Sequence, residues 1–354
     1  MTSVRQDQPF SRLGLMGGSG SSGTTLLVHL LSRDPAIGSG PEFNCFNHPE
    51  VYEAAALRRA WPELRRGRAV PAGYIDVPVF MTHREHYGIT DHLIEQWLGD
   101  SESGAGFVSQ LKEHLHRVLK CELVLEKSPT NIYCFRDAGE SLPGVKLIHM
   151  IRDGRDVTVS LMRRGFNLFG AGSRWLYDTV RGLEAREASN YLEVRYESLV
   201  ADPDPVCRSL LSHLGVDRLQ PADGADHERR GLYTEQWTNR AEPRAWNQTP
   251  SDPITSRSVG QFRERLSSGD IERLKRICLH RSVAVTGGLP RKFGDLLDHL
   301  GYRDEPESGQ QRNDVLSDWR LEATDYARRV QRFHNRSYWR MPRRLTQFQR
   351  SRTG

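Results

Sequence analysis

Gly17-Gly18-Ser19-Gly20-Ser21-Ser22-Gly23-Thr24-Thr25-Leu26-Leu27 is the stretch that decides the fold. A short apolar run, Leu13-Gly14-Leu15-Met16, leads into it, and a helical apolar pattern from Thr24 to Leu31 leads out. Strand, glycine turn and helix start in that order form a phosphate cradle. Backbone N–H groups of the turn converge on one point, and the helix N-terminus adds positive potential. Three templates fit the turn. Gly18, Gly20 and Gly23 satisfy the G-x-G-x-x-G spacing of a dinucleotide site. Glu42, nineteen residues past Gly23, would then be the ribose-binding acid, but that acid should end a second apolar strand, and Ala36-Ile37-Gly38-Ser39-Gly40-Pro41 reads as a loop. Gly18 and Gly23 also have the spacing of a nucleotide-hydrolysing P-loop, G-x-x-x-x-G-K-[ST]. Thr24 stands where that loop needs a lysine on the β- and γ-phosphates, which argues against an ordinary ATPase or GTPase. The third template is a glycine turn with no ligand.

A second stretch, Val145 to Arg164, reads VKLIHMIRDGRDVTVSLMRR. Val145 to Ile151 is mostly apolar and β-prone, as expected of a buried strand in a parallel sheet. Asp153 suits the N-cap of the helix that follows. Arg152 then falls at the strand's C-terminal edge, where open α/β sheets bind ligands. Ser160 follows about two helical turns later. An arginine fork with a hydroxyl nearby suits a phosphate monoester. Two other accounts fit the same residues. Arg152, Arg155, Arg163 and Arg164 could be solvated helix charges paired with Asp153 and Asp156. Asp153 could instead hold a metal at the end of a Walker B strand, which the missing P-loop lysine weakens.

Together these segments resemble the sulfotransferases that use 3′-phosphoadenosine 5′-phosphosulfate (PAPS), nearer the glycan, tyrosine and bacterial branches than the cytosolic aryl branch. The family loop [R/K]-S-G-T-[T/S]-L appears here as Ser21-Ser22-Gly23-Thr24-Thr25-Leu26. The resemblance implies Gly20, Ser21, Ser22, Gly23, Thr24 and Thr25 as contacts of the 5′-phosphosulfate. The family element R-D-x-R-D-x-x-x-S appears as Arg152 to Ser160 and implies Arg152 and Ser160 as ligands of the 3′-phosphate. Glu126-Lys127-Ser128-Pro129 resembles the E-K-[ST]-P strand end of glycan and tyrosine sulfotransferases. The stretch Tyr191 to Leu199 resembles V-x-Y-E-x-L, in which a tyrosine, here Tyr196, helps seat the adenine. Ser256-Arg257-Ser258-Val259-Gly260 resembles the late S-x-x-V-G element that closes over the cofactor, which implies Ser256 and Arg257 as contacts.

The resemblance implies a three-layer α/β/α fold with a central, mainly parallel sheet, a P-loop-like phosphosulfate loop and a helical cap insertion. The expected sulfotransferase domain spans 1–303, with 58–119 as the substrate cap. Inside the cap, Asp91 to Leu98 and Val108 to Leu119 read as helices. Asp223 to Pro253, with Trp237 and Trp246, is a second candidate wall for the acceptor. The implied chemistry is in-line attack of an acceptor hydroxyl on sulfur, in which the protein positions the reactants and stabilises charge. Glu42 is the candidate base, because Gly40-Pro41-Glu42 resembles the base position of tyrosine and some carbohydrate sulfotransferases. His48, His83 and His86 are alternatives. Lys127 is the candidate for meeting charge on the bridging oxygen. No metal is needed in the family, and no cluster with metal-ligand spacing is visible in the sequence. Ser21 departs from the family, since arginine or lysine usually precedes S-G-T-T. Lys127 or another arginine, such as Arg257, would have to compensate.

Composition agrees with a soluble enzyme. The chain has 354 residues, a net charge of +5, 37% hydrophobic residues and no apolar stretch long enough for a membrane helix. The start, MTSVRQDQPFSR, lacks the apolar region of a signal peptide. Five cysteines, Cys45, Cys121, Cys134, Cys207 and Cys278, show no ligand spacing and suit free thiols in a cytoplasm. Residues 304–354 read as a linker followed by a basic, aromatic tail. From Tyr326 to Arg352 the tail carries arginines and no acids, interleaved with Phe333, Tyr338, Trp339 and Phe348. Packing on the enzyme or in a homo-oligomer is favoured for it over nucleic acid or membrane. The expected partner is a hydroxyl-bearing small molecule or glycan. Two alternatives are a P-loop kinase and a non-catalytic anionic-ligand binder that uses the tail.

Overall fold

The computed structural model describes residues 8–32, 34–66, 79–216, 254–279 and 283–303. The expectations for Asp223 to Pro253 and for 304–354 lie outside the described residues. Five strands form one sheet in the order β2-β3-β1-β4-β5. They are β1 (Leu13–Gly18), β2 (Ile37–Gly38), β3 (Leu123–Lys127), β4 (Lys146–Ile151) and β5 (Tyr191–Arg195). Every pairing among them is parallel. Parallel strands need crossovers, and the helices that make them cover both faces.

Alternation along the strands feeds two apolar clusters. Leu13 and Leu15 of β1 and Leu147 and Ile151 of β4 face one cluster. Met16, Ile148 and Met150 face the other. The second cluster is closed by Leu27 and Leu31 of α1 (Thr24–Leu31), Leu199 of α8 (Tyr196–Ala201), and Leu210 and Leu214 of α9 (Pro203–Leu214). On the opposite face lie α5 (Phe135–Ser141), α6 (Gly154–Met162) and α7 (Leu168–Leu183), with Phe135, Val157 and Trp175 in the core. The expected three-layer α/β/α arrangement is thus present, with β1 in the middle of the sheet.

The inserted helices are α2 (Ala54–Leu64), α3 (Asp91–Asp100) and α4 (Gly104–Leu119). Side-chain caps start two of them, as Thr90 accepts from Leu93 N–H and Ser103 from Gly106 N–H. Their apolar faces, including Leu57, Ile94, Phe107 and Leu111, join the first cluster. The insertion is therefore continuous with the core. A short 3-10 turn, Arg84–Tyr87, carries it to the segment after β2. There the Tyr87 hydroxyl donates to the Pro41 carbonyl at 2.6 Å, and its ring meets Phe43 edge-on.

One expectation is corrected. Ala36 to Pro41 is not all loop, because Ile37 and Gly38 pair with Leu123 and Val124 as a two-residue edge strand. Two residues carry no readable period. Gly38 fits because it lacks a side chain: a Cβ there would lie 2.4 Å from Cys121 Sγ. All five cysteines are free, and among the described residues no helix is long and apolar enough to cross a membrane.

His149 in β4 is fully buried, with Nδ1 2.6 Å from the Tyr191 hydroxyl. Burial, helped by the Arg186 charge, pushes its imidazole down to about 3. The folded state thus keeps a neutral ring that the unfolded chain protonates near pH 6.5. Stability from this group is complete above that value and is lost as pH falls toward 3, by up to about 1.4 kcal/mol per pH unit. His149→Gln should flatten the decline in melting temperature between those two pH values. Parallel melting curves for the two proteins would contradict this.

Candidate functional site

The C-terminal ends of β1, β3, β4 and β5 lie along one edge of the sheet, and each releases a segment of the site. At the end of β1 the backbone of Gly18 is pressed against its neighbour, where a Cβ would come within 2.4 Å of the Met150 carbonyl oxygen. The chain then turns on itself, with Ser22 N–H and Oγ both donating to the Ser19 carbonyl at 3.1 and 2.6 Å. Ser21 and Gly23 take left-handed backbone, at φ of 71° and 97°. Such interruptions of the backbone course aim successive N–H groups into a shared concavity. Gly23 is the N-cap of α1, which has no side-chain cap and no acid in its first turn. Its leading N–H groups therefore suit an external anion. Thr24 is buried and Thr25 exposed.

Arg152, the residue after β4, is buried and joins several segments. Nη1 donates to the Ser21 carbonyl at 2.9 Å, and Nη2 donates to the Ser258 carbonyl. The guanidinium stacks on the Tyr196 ring, 4.4 Å from its centroid. The same ring packs behind Gly23, where a Cβ would lie 2.4 Å from Cδ2. Arg152 Nε is buried with no hydrogen-bond partner among the described residues. An orphaned donor of this kind is costly unless a ligand or water meets it.

The acids of the same element hold the frame. Asp153 caps α6 by accepting from Arg155 N–H at 2.9 Å, as the sequence suggested, and pairs with the Arg155 guanidinium at 2.7 Å. It is therefore engaged as a cap and ion-pair partner and does not serve the Walker B template. Asp156 accepts from Gly260 and Phe262 N–H at 2.7 and 3.0 Å. Burial raises its carboxyl above the ordinary range, opposed by those N–H groups and Arg152. Together Arg152 and Asp156 dock the S-x-x-V-G element at the site. Ser256 and Arg257 lie exposed on its short turn, Ser256–Ser258. Ser160 is half-buried near the end of α6.

Across β1, the end of β3 grips the segment after β2 with three successive residues. Glu126 accepts from Phe43 N–H at 3.1 Å, Ser128 accepts from Asn44 N–H at 2.9 Å, and Lys127 donates to Glu42 Oε1 at 2.8 Å. Lys127 is only 3% exposed and Glu42 37%, so the pair runs from the interior to the surface of the edge. Burial raises the Glu126 carboxyl, while Ser128, Asn131 and Phe43 N–H oppose the rise. The structure thus brings Glu42 and Lys127 together, although 85 residues separate them.

The alternative histidines sit elsewhere. His48 is fully buried, with its ring edge-on to Phe80. His86 and Glu85 lie on the 3-10 turn and His83 is its N-cap, with the ligand atoms of the three within 4.8 Å of one another. This grouping was not legible in the sequence, because its close spacing matches no usual ligand pattern. Three other residues went unnoticed in the sequence: Arg174, Trp175 and Asp178 of α7. Trp175 Nε1 donates to the Arg152 carbonyl at 3.0 Å, and Asp178 accepts from Ser19 Oγ at 3.1 Å. An arginine and an aspartate four residues apart on one helix were the available signal.

Solved structures to which the chain is similar include the sulfotransferase domain from the Synechococcus PCC 7002 olefin synthase, at 21% identity and TM-score 0.48, over 83% of this chain and 95% of that one. The sulfotransferase domain from the curacin biosynthetic pathway follows at 18% and 0.47, over 82% and 97%. A sulfotransferase from Alicyclobacillus acidocaldarius is similar at 15% and 0.34, over 61% and 87%. A search of curated proteins finds no match. A model described as the sulfotransferase family matches residues 15–221, more than half of the chain. With a cradle at the end of β1 and an arginine at the end of β4, the chain belongs to the sulfotransferase family.

Proposed function

We propose that the protein transfers the sulfuryl group of PAPS to a hydroxyl of a carbohydrate or small natural product. The observation that carries this is Arg152, whose buried Nε has no partner among the described residues, beside a loop whose N–H groups suit a second anion. Two anion sites across adjacent strand ends match a donor with phosphate at its 3′ position and phosphosulfate at its 5′ position. Gly20 to Thr25 take the 5′ end, and Arg152 with Ser160 takes the 3′-phosphate. Tyr196 supports the adenine, and Ser256 and Arg257 close over the donor.

Glu42 removes the proton of the acceptor hydroxyl. The acceptor oxygen bonds to sulfur as the bond from sulfur to the 5′-phosphate oxygen breaks, and adenosine 3′,5′-bisphosphate leaves with that oxygen. Lys127 meets the charge that develops on it. An ammonium group has three N–H donors, so contact with Glu42 does not exhaust Lys127. Glu126 and Ser128 keep both partners in register by fixing Phe43 and Asn44. Tyr87 sets the inserted helices against the same segment, which makes the insertion one wall of the acceptor site. The five free thiols suit a reducing compartment, the cytoplasm.

The test is transfer of labelled sulfuryl from PAPS to a panel of glycan, phenol and alkyl hydroxyls. Glu42→Gln should cut transfer by about 10²-fold or more, the usual worth of a general base, while adenosine 3′,5′-bisphosphate still binds. Unchanged turnover would remove Glu42 as base. Arg152→Ala should weaken the bisphosphate by about tenfold or more, the loss of one charge-assisted hydrogen bond. Wild-type affinity in that variant would remove Arg152 as a donor ligand. Consumption of Mg-ATP in place of PAPS would make the protein a kinase.

A further inference from the structure

We propose that Arg174 supplies the positive charge that Ser21 does not, contacting the 5′-phosphosulfate end of the donor from helix α7. The inference rests on PAPS as the donor. The family loop usually carries its own cation before S-G-T-T, and this chain has a serine there, so another residue must bring charge to that point of the loop.

Helix α7 is built to do this. Arg174, Trp175 and Asp178 face the loop and the end of β4. Trp175 ties the helix to the Arg152 carbonyl and packs beneath Gly154, where a Cβ would lie 2.5 Å from the indole. Asp178 ties it to the loop through Ser19 and to the turn after β3 through the Tyr133 hydroxyl. Arg174 Nε lies 3.5 Å from Asp178 Oδ2, and the rest of the guanidinium reaches Gly20. A Cβ built on Gly20 would stand 3.6 Å from Nη2 and 3.7 Å from Cζ. Gly20 is not in left-handed backbone, so its φ does not call for glycine. A Cβ there would make only ordinary contact, so the guanidinium lies directly alongside the loop at Gly20.

The energetics point the same way. Asp178 is buried, and burial raises its carboxyl, with Arg174, Tyr133 and Ser19 opposing. A buried ion pair is a poor source of stability, since desolvation offsets most of its attraction. Here the buried acid has a geometric result: it holds an arginine, itself 12% exposed, with Nε toward the acid and Nε, Cζ and Nη2 all beside Gly20. Phe166 lies beneath the guanidinium at 5.5 Å and restricts it further. A planar fork held this way suits phosphate or sulfate oxygens. Two further arginines touch the loop: Arg152 is committed to the Ser21 and Ser258 carbonyls, and Arg164 donates to Ser21 Oγ at 3.2 Å but is exposed, so solvent screens its charge. Arg257, expected from the sequence to compensate, is exposed on the turn beyond Arg152.

The experiment is calorimetric titration of adenosine 3′,5′-bisphosphate into the full chain, comparing wild type, Arg174→Gln, the Arg174→Gln/Asp178→Asn pair, and Arg174→Gln with Ser21→Arg. The second variant leaves no unpaired buried acid, and melting curves confirm that each protein is folded. Both neutral variants should bind about tenfold more weakly or worse, and Ser21→Arg should recover most of that loss by returning the charge to the loop itself. A purely structural role for Arg174 would not be rescued from position 21. Wild-type affinity in the neutral variants, or no recovery with Ser21→Arg, overturns the role of Arg174 while PAPS stands as donor. No binding to wild type overturns the donor and this inference with it.

Discussion

The guanidinium of Arg152 holds four chain segments at one point. It leaves β4, stacks on the ring that opens α8, donates to the loop after β1 and donates to the turn at Ser258. These segments come from distant parts of the sequence and converge only because parallel strands deliver all their C-terminal ends to the same edge. The edge therefore depends on a group with several N–H donors placed between the segments. Carbonyl oxygens of two loops, drawn together, repel one another and need a donor between them.

Around that point the site concentrates buried charge. Lys127, Arg152, Asp153, Arg155, Asp156 and Asp178 are each less than a tenth exposed. Isolated burial of such groups would be costly, so each needs a partner. The partners found are backbone N–H and carbonyl groups, or opposite charges in adjacent elements. Asp156 on Gly260 and Phe262, and Glu126 on Phe43, convert desolvated acids into fixed loop positions. The result is an edge organised before any ligand arrives, which is the condition for electrostatic stabilisation of a transferring group.

Much of this was legible in the sequence because it is local. The glycine turn, the apolar runs of β1 and β4, the Asp153 cap and the Glu126-Lys127-Ser128 strand end all sit within short windows. The edge strand Ile37–Gly38 was not legible, since two residues show no alternation and only the neighbour's free edge recruits them. Glu42 and Lys127 stood as separate candidates in the sequence; their pairing needs the backbone grip of Glu126 and Ser128. Arg174 and Asp178 belong to no motif in the sequence. Their role depends on which face of α7 turns toward the loop, which the strand order and the packing of Trp175 decide.

An edge with an arginine at one strand end and a glycine turn at the next suits two separated anions on one adenosine. The most direct measurement is the ratio of affinities for adenosine 3′,5′-bisphosphate and adenosine 5′-monophosphate, taken at one ionic strength. The 3′-phosphate should improve binding by about tenfold or more, as a charge-assisted contact does. Equal affinity for the two nucleotides would contradict it.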